Sequence, residues 1–266
     1  LMTSHPCCSA DSCCSTGCMV DTWMDSGWDR SNFRGNRNAR GFSLKGFEVT
    51  LGSQVTVDNC WTMGAAACYE RDHIHYKVGG KGISNTYLGG LYTLYRPSDF
   101  YVLSDLVLGY TQSKLKRHVD FGSYHFSNHG KPDIYQGTLY VEAGQDFGVD
   151  CFLFQPFVGI EAGYFRHDHI YERNSNLFSV SVKNKTHGAA SSRLGVHFLT
   201  EFSCFKLFFD SAWQYRMSSL HNRSIQHFQH FGKDFKIVGI PFARSSFDTA
   251  LNLSATLVDG LEVYVE

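Results

Sequence analysis

From Phe42 onward, apolar and polar side chains alternate with a period of two, the spacing of a strand with two unlike faces. Between residues 46 and 57, Phe47, Val49, Leu51, Val55 and Val57 share one face, and Glu48, Thr50, Gln54 and Thr56 the other. Trp61, Met63, Ala65, Ala67 and Tyr69 likewise oppose Cys60, Thr62, Cys68 and Glu70. Tyr135, Leu139, Val141, Ala143 and Phe147 oppose Gln136, Thr138, Tyr140, Glu142 and Asp146. Downstream, Phe152, Phe154, Val158, Ile160, Ala162 and Tyr164 face away from Gln155 and Glu161, and Leu194, Val196 and Phe198 away from Arg193, His197 and Glu201. Phe205, Leu207, Phe209, Trp213 and Tyr215 oppose Lys206, Asp210, Gln214 and Arg216, and Phe247, Leu251 and Leu253 oppose Asp248, Asn252 and Ser254. The pattern predicts ten strands, over 42–57, 59–71, 83–96, 99–116, 134–147, 150–167, 188–201, 203–217, 245–257 and 260–266. Residues 20–32, with Trp23 and Trp28, are a weak candidate for one more.

Alternation alone does not separate a soluble sheet from a membrane barrel. Three further features favour the barrel. Aromatic residues bracket the apolar faces: Trp61 and Tyr69, Phe100 and Tyr110, Tyr135 and Phe147, Phe205 and Trp213. At about 3.3 Å per residue and a tilt near 40°, eight to ten residues span roughly 20–25 Å, the height of a lipid-facing band between two aromatic girdles. Connections also alternate in length. Short turns fall near Asp58–Asn59, Pro97–Ser98, Gly148–Asp150, Ser203 and Val258–Asp259, and long polar loops near Arg71–Gly82, Arg117–Asp133, His167–His187 and Ser218–Arg244. Outer-membrane barrels pair short periplasmic turns with long external loops in this way. The strands, finally, are longer than the five or six residues common in soluble sheets. The expected fold class is therefore all-β, an antiparallel transmembrane β-barrel.

Composition agrees. The 266 residues are 15% aromatic, with 25 Gly against 5 Pro, and the net charge of −1 gives no sign of a nucleic-acid partner. No apolar run is long enough for a membrane-spanning helix. The nine cysteines divide into Cys7, Cys8, Cys13, Cys14 and Cys18 in a polar leader, and Cys60, Cys68, Cys151 and Cys204 among the strands. No CxxC pair occurs, and no cofactor or metal signature follows.

With the barrel as premise, Glu48, Asp105, Glu142, Glu161, Arg193, Glu201, Lys206, Asp210, Arg216 and Asp248 are expected to line a polar lumen, because lipid-facing charge costs roughly 2–4 kcal/mol near the midplane. Trp61, Tyr69, Phe100, Tyr110, Tyr135, Phe147 and Trp213 are the expected girdle. Nearly every histidine falls in a long loop. Loop composition explains this, and a pH-responsive or metal-binding outer face is the sharper alternative. The segment RHDHIYER (Arg166–Arg173) carries His and Asp at a loop edge, yet its spacing matches no nucleophile elbow and no metal-binding helix, so no enzyme is expected. Cys60, Cys151 and Cys204 each open a strand beyond a short turn, on its polar parity. Two strands apart is already about 9.6 Å, too far for a disulfide between them. Bonds to the leader cysteines, bonds to other outer-membrane proteins, and no bond at all stay open.

Several segments taken in order resemble a known family: Asn85–Tyr95 (NTYLGGLYTLY), Phe100–Tyr110 (FYVLSDLVLGY), Phe154–Tyr164 (FQPFVGIEAGY), Lys206–Arg216 (KLFFDSAWQYR) and Ala255–Glu266 (ATLVDGLEVYVE). They resemble autotransporter translocator domains, and with cysteines in the strands they are similar to the chlamydial polymorphic outer-membrane proteins. The resemblance implies an outer-membrane location, insertion by the barrel-assembly machinery, and export and anchoring of an N-terminal passenger. A stand-alone porin or adhesin is the alternative. Ten placed strands, one more upstream and one expected beyond the C-terminus make about twelve, an even number as in that family. Residues 1–40 are then expected to be a Cys-rich leader, and residues 41–266 a barrel lacking its final, aromatic-ended strand.

Overall fold

A strand with one apolar and one polar face is satisfied only when its backbone groups are paired on both edges, and the chain achieves this by a succession of hairpins. The computed structural model describes residues 19–35, 41–57, 60–77, 79–149, 151–173, 178–202, 205–220, 223–230, 232–239, 241–258 and 261–265. In chain order the strands are β1 (Met19–Phe33), β2 (Phe42–Val57), β3 (Trp61–Tyr76), β4 (Gly80–Tyr95), β5 (Phe100–Phe121), β6 (Tyr124–Gly130), β7 (Asp133–Gln145), β8 (Phe147–Val149), β9 (Phe152–His167), β10 (Ile170–Tyr171), β11 (Val180–Val182), β12 (Lys185–Phe202), β13 (Phe205–Arg216), β14 (Arg223–Phe228), β15 (Phe235–Val238), β16 (Ser245–Val258) and β17 (Leu261–Val265). The main sheet runs β1-β2-β3-β4-β5-β7-β9-β12-β13-β16-β17, each strand antiparallel to its neighbours, with β6 beside β5 and β8 beside β9. Eleven strands lie on that path, and among the described residues no pairing joins β17 to β1.

The sheet curls, and its two faces have inverted polarity. Among the described residues only four apolar side chains are buried (Tyr101, Phe157, Val180 and Ala212), against thirteen polar or charged ones. Leu91, Leu106, Leu108, Leu139, Val158, Ile160, Leu194 and Leu251 are exposed. Contacts across intervening strands identify the concave face. Trp23 on β1 donates from Nε1 to the Tyr92 hydroxyl on β4 at 3.2 Å, and Tyr92 donates to Gln54 on β2 at 3.0 Å. Three strand steps in a flat sheet would separate β1 and β4 by about 14 Å. Both rings lie across their neighbouring strands on the polar face, toward which these side chains converge. The apolar side chains diverge on the convex side, the reverse of a soluble sandwich and the arrangement a lipid solvent selects.

The weak upstream candidate is present as a strand, and the long-loop expectations are corrected. Residues 20–32, weak by pattern, belong to a fifteen-residue strand in register with β2 from Met19↔Thr56 to Phe33↔Phe42. The proposed loop Arg71–Gly82 is mostly strand, since β3 continues to Tyr76 and β4 starts at Gly80, around a turn where Gly79 holds φ 75°. Likewise β5 runs on to Phe121 and returns through Gly122 (φ 59°) as β6, so Arg117–Asp133 is a hairpin. The other two long connections carry β10, β11, β14 and β15, which form a separate four-stranded sheet. Ladder hydrogen bonds continue past the apolar band, where both faces are polar and the period-two signal disappears.

Candidate functional site

The concave face is built from small and large residues in alternation across neighbouring strands. A methyl group added to Gly52 would meet the Trp23 ring at 2.4 Å, and one on Gly64 the Tyr92 ring at 2.2 Å. Gly144 lies in the same way against Tyr101, Gly159 against Tyr140 and Gly195 against Phe157. Each glycine removes a side chain so that an aromatic ring can lie across the adjacent strand. The rings therefore lie along the wall, and the polar groups at their edges are aimed.

Those groups converge on Glu142 of β7, which is 4% exposed. Its carboxylate accepts from the Tyr101 hydroxyl at 2.8 Å and from the Tyr140 hydroxyl, and lies 3.1 Å from Nε2 of His197. The opposite nitrogen of His197, Nδ1, is 2.7 Å from Asp210 Oδ2, and Arg193 approaches the same Asp210 at 3.7 Å. The imidazole is stacked on Phe157, with ring centroids 4.2 Å apart, and Phe208 lies at 5.8 Å on this face. The Arg193 guanidinium lies 6.0 Å from the centre of the Tyr140 ring. One rim adds a second cluster. Arg96 pairs with Asp146 at 3.4 Å and lies over the Tyr101 ring, and Gln155, 1% exposed, donates to Asp146 at 2.5 Å. A continuous charged and aromatic strip thus crosses β5, β7, β9, β12 and β13.

Of the residues proposed for the lumen, this strip joins Glu142, Arg193 and Asp210. Glu201 sits directly opposite Lys206 in the β12–β13 ladder, and Glu161 opposite Tyr140 and Ser191. Glu48 stands opposite Glu70 on the β1–β3 side, away from the strip. Asp248 is opposite Ala212 on β13, and Arg216 lies over the Phe242 ring at 4.5 Å. Asp105 pairs in register with Tyr92 and Tyr140. His197 was not singled out by sequence, although it shares the parity of Arg193 and Glu201; that shared parity was the available signal.

On the convex face, Tyr69, Tyr87, Tyr110 and Tyr135 form one row across β3, β4, β5 and β7, with successive rings 5.3 Å apart at Tyr69–Tyr87 and Tyr110–Tyr135. Toward the opposite rim lie Trp61 against Tyr95 at 4.3 Å, Phe147 against Phe154 at 6.5 Å, and exposed Phe100. Trp213 is exposed on β13, beside Tyr215.

Cys60 precedes β3 in the short turn after β2, its carbonyl accepting from Arg96 N at 2.7 Å, and Cys151 precedes β9, its carbonyl accepting from Glu201 N at 3.3 Å. Cys60 and Cys68 carry free thiols. Cys204 and the leader cysteines lie outside the described residues.

Above the wall, the four-stranded sheet is tied to the β5–β6 hairpin through Glu172, within the segment set aside as a poor catalytic motif. Arg117 of β5 grips its carboxylate by two hydrogen bonds, at 2.7 and 2.6 Å. Asn128, placed by sequence in a long loop and in fact fully buried, adds a donor at 2.9 Å, and the Val180 backbone N–H another at 2.8 Å. Burial alone would raise the Glu172 carboxyl, but hydrogen bonds from Arg117 and Val180 and the Arg117 charge outweigh it and hold the carboxyl below its ordinary value. Among the described residues no group of three or more His, Cys, Asp or Glu side chains is placed to hold a metal ion.

A family model described as the autotransporter β-domain matches residues 22–266. The chain is 22% identical over 233 residues to an extracellular serine protease of Serratia marcescens, an alignment covering 84% of this chain and 22% of that protein. The chain thus spans about a fifth of the length of that relative. Its fold is similar to the translocator domain of the autotransporter NalP from Neisseria meningitidis, with a TM-score of 0.72 and 13% identity over 93% of this chain and 80% of that one. The β domain of the Bordetella autotransporter BrkA gives 0.57, with 16% identity, over 93% and 89%.

Proposed function

Because the chain belongs to the autotransporter β-domain family, and is an outer-membrane β-barrel translocator of type V secretion, we propose that it exports an N-terminal passenger through its concave face and then anchors it at the cell surface. The observation that carries this is the inverted polarity: an apolar convex face bounded by aromatic rows, around a strip of ion pairs and hydroxyls centred on Glu142 and His197. A polar lining lets an extended chain pass with its backbone groups hydrated, and lipid contacts the other face. Glu48, Glu142, Glu161, Arg193, Glu201, Lys206, Asp210, Arg216 and Asp248 serve as lumen residues. Trp61, Tyr69, Phe100, Tyr110, Tyr135, Phe147 and Trp213 form the girdles. Insertion is the work of the barrel-assembly machinery, and Cys60 is available at the periplasmic rim for a bond to another outer-membrane protein.

The strip around Glu142 and His197 is arranged for ion pairing and not for hydrolysis. A general base needs a free imidazole nitrogen directed at a hydroxyl or thiol. Both nitrogens of His197 face carboxylates instead, at 3.1 and 2.7 Å. The test fuses a folded-tag passenger upstream of residue 1 and treats intact cells with protease. A tag cleaved outside, with the barrel heat-modifiable in gels, is the expected outcome. A tag that stays protected while the barrel is inserted would overturn the proposal.

A further inference from the structure

A second feature has no place in transport. On the convex side, just beyond the tyrosine row Tyr69–Tyr87–Tyr110–Tyr135, a cleft of about 380 Å³ opens between the ends of β3, β4, β5 and β6. It is lined by Lys81, Lys114, Lys116 and Lys131 with His73, His75 and His129, and no carboxylate is among its lining residues. The ladder sets this arrangement. His75, Lys81, Lys116 and His129 stand in one cross-strand row, and His73, Ile83 and Lys114 in the row below. Among the described residues none of the four lysines has an ion-pair partner. Asp133, the nearest convex carboxylate in register, opposes Gln112 and is engaged by the Tyr110 hydroxyl at 3.0 Å.

Four like charges held together without counter-charges are unfavourable unless something anionic is present. Their height identifies that partner. Lys114 lies four residues beyond Tyr110 on β5. At about 3.3 Å per residue and a tilt near 40°, that is roughly 10 Å above the tyrosine row, within lysine reach of a headgroup layer. Directly below, on the same strands, Leu91, Leu106 and Leu108 are exposed as one apolar strip. A ligand that satisfies both features has phosphate above and acyl chains below. We propose that this cleft binds the phosphorylated headgroup of an outer-leaflet glycolipid, with its chains lying along Leu91, Leu106 and Leu108. The site depends on the outer-membrane orientation and is independent of whether a passenger is exported.

The test uses the full chain, extracted from outer membranes in mild detergent, stripped of lipid and examined by native mass spectrometry. The probes are a bisphosphorylated glycolipid, the same lipid enzymatically dephosphorylated, and inorganic phosphate. The phosphorylated lipid is expected to be retained at least tenfold better than its dephosphorylated form, with inorganic phosphate failing to displace it at equal concentration. Near an anionic lipid surface each lysine contributes about a fivefold factor, so Lys81→Gln/Lys114→Gln/Lys116→Gln should lower retention about a hundredfold. The charge-preserving Lys→Arg triple should retain the lipid, and Lys183→Gln/Lys236→Gln, in a basic cleft at the mouth, should leave it unchanged. Cold gel mobility reports folding for every variant, and Lys114→Gln alone, expected to cost about fivefold, replaces a triple that does not fold. Equal retention of both lipids, unchanged retention in the glutamine variants, loss in the arginine triple, or displacement by inorganic phosphate each overturns the proposal.

Discussion

The wall and the outer sheet are both antiparallel β structure, yet different forces hold them. In the wall, every strand on the main path from β1 to β16 has twelve residues or more, and the convex apolar face fixes the register. A slip by one residue would carry Leu106, Leu139 and their neighbours into the polar interior and bring the charges to the lipid side. The outer sheet has strands of two to six residues. These are too short for independent stability, and the sheet depends on a few directed polar contacts at Glu172, Arg117 and Asn128. The contrast teaches that lipid can specify a long strand through pattern alone, whereas a sheet in water of this size needs a named hub.

The strongest test of the contrast puts the same charge in both places. Leu106, in cross-strand register with Leu91 and Leu139, sits midway along the apolar strip. Leu106→Arg should destabilise the barrel by about 2–4 kcal/mol, read by urea unfolding in lipid vesicles. Ile237→Arg, on exposed outer-sheet surface, should stay within about 0.5 kcal/mol. Equal effects would mean that the convex face does not meet lipid.

Next in size is the concave packing. Gly144→Val would force the Tyr101 ring off its seat and away from Glu142, and should cost about 1–3 kcal/mol in the same assay. Unchanged stability would show that ring-over-glycine contact contributes nothing.

The outer sheet should respond locally. Glu172→Gln weakens the Arg117 contact, which is partly screened by solvent, and should lower outer-sheet stability by about 1–2 kcal/mol while cold gel mobility of the barrel stays unchanged. Hydrogen exchange at Val180–Val182 would register it. The smallest effect is with pH. Glu172 is held below its ordinary 4.5, so its contribution is complete above pH 4.5 and is lost as pH falls through the lower folded value. Exchange corrected for its intrinsic rate should rise in Val180–Val182 over that acid window, with amides of β9 and β12 still protected. Concerted loss in both regions would mean that the two sheets unfold as one unit.

How much was legible follows the same division. For the wall strands from Phe42 onward, strand identity and face were readable between the aromatic rows, because lipid on one side and water on the other impose period two there. β1 was nearly missed, since Thr22, Ser26 and Arg30 interrupt its convex row and only Val20, Met24 and Trp28 mark that face as apolar. The continuation of β3 past Arg71, of β4 before Ile83 and of β5 past Lys116 was invisible because both faces are polar there.

The sequence by itself determined which side chains share a face, because a strand fixes parity locally. It placed Glu142, Arg193 and Asp210 on one side of their strands without any knowledge of curvature. Only the tertiary structure decided which of them meet. His197 reaches Glu142 across β9, with its ring supported on Phe157. Glu172 becomes a hub only when Arg117, 55 residues earlier, and Val180 are brought to it by separate connections. Contacts between strands that are not neighbours depend on curvature and on loop return. Those are properties of the assembled sheet, and no local period encodes them.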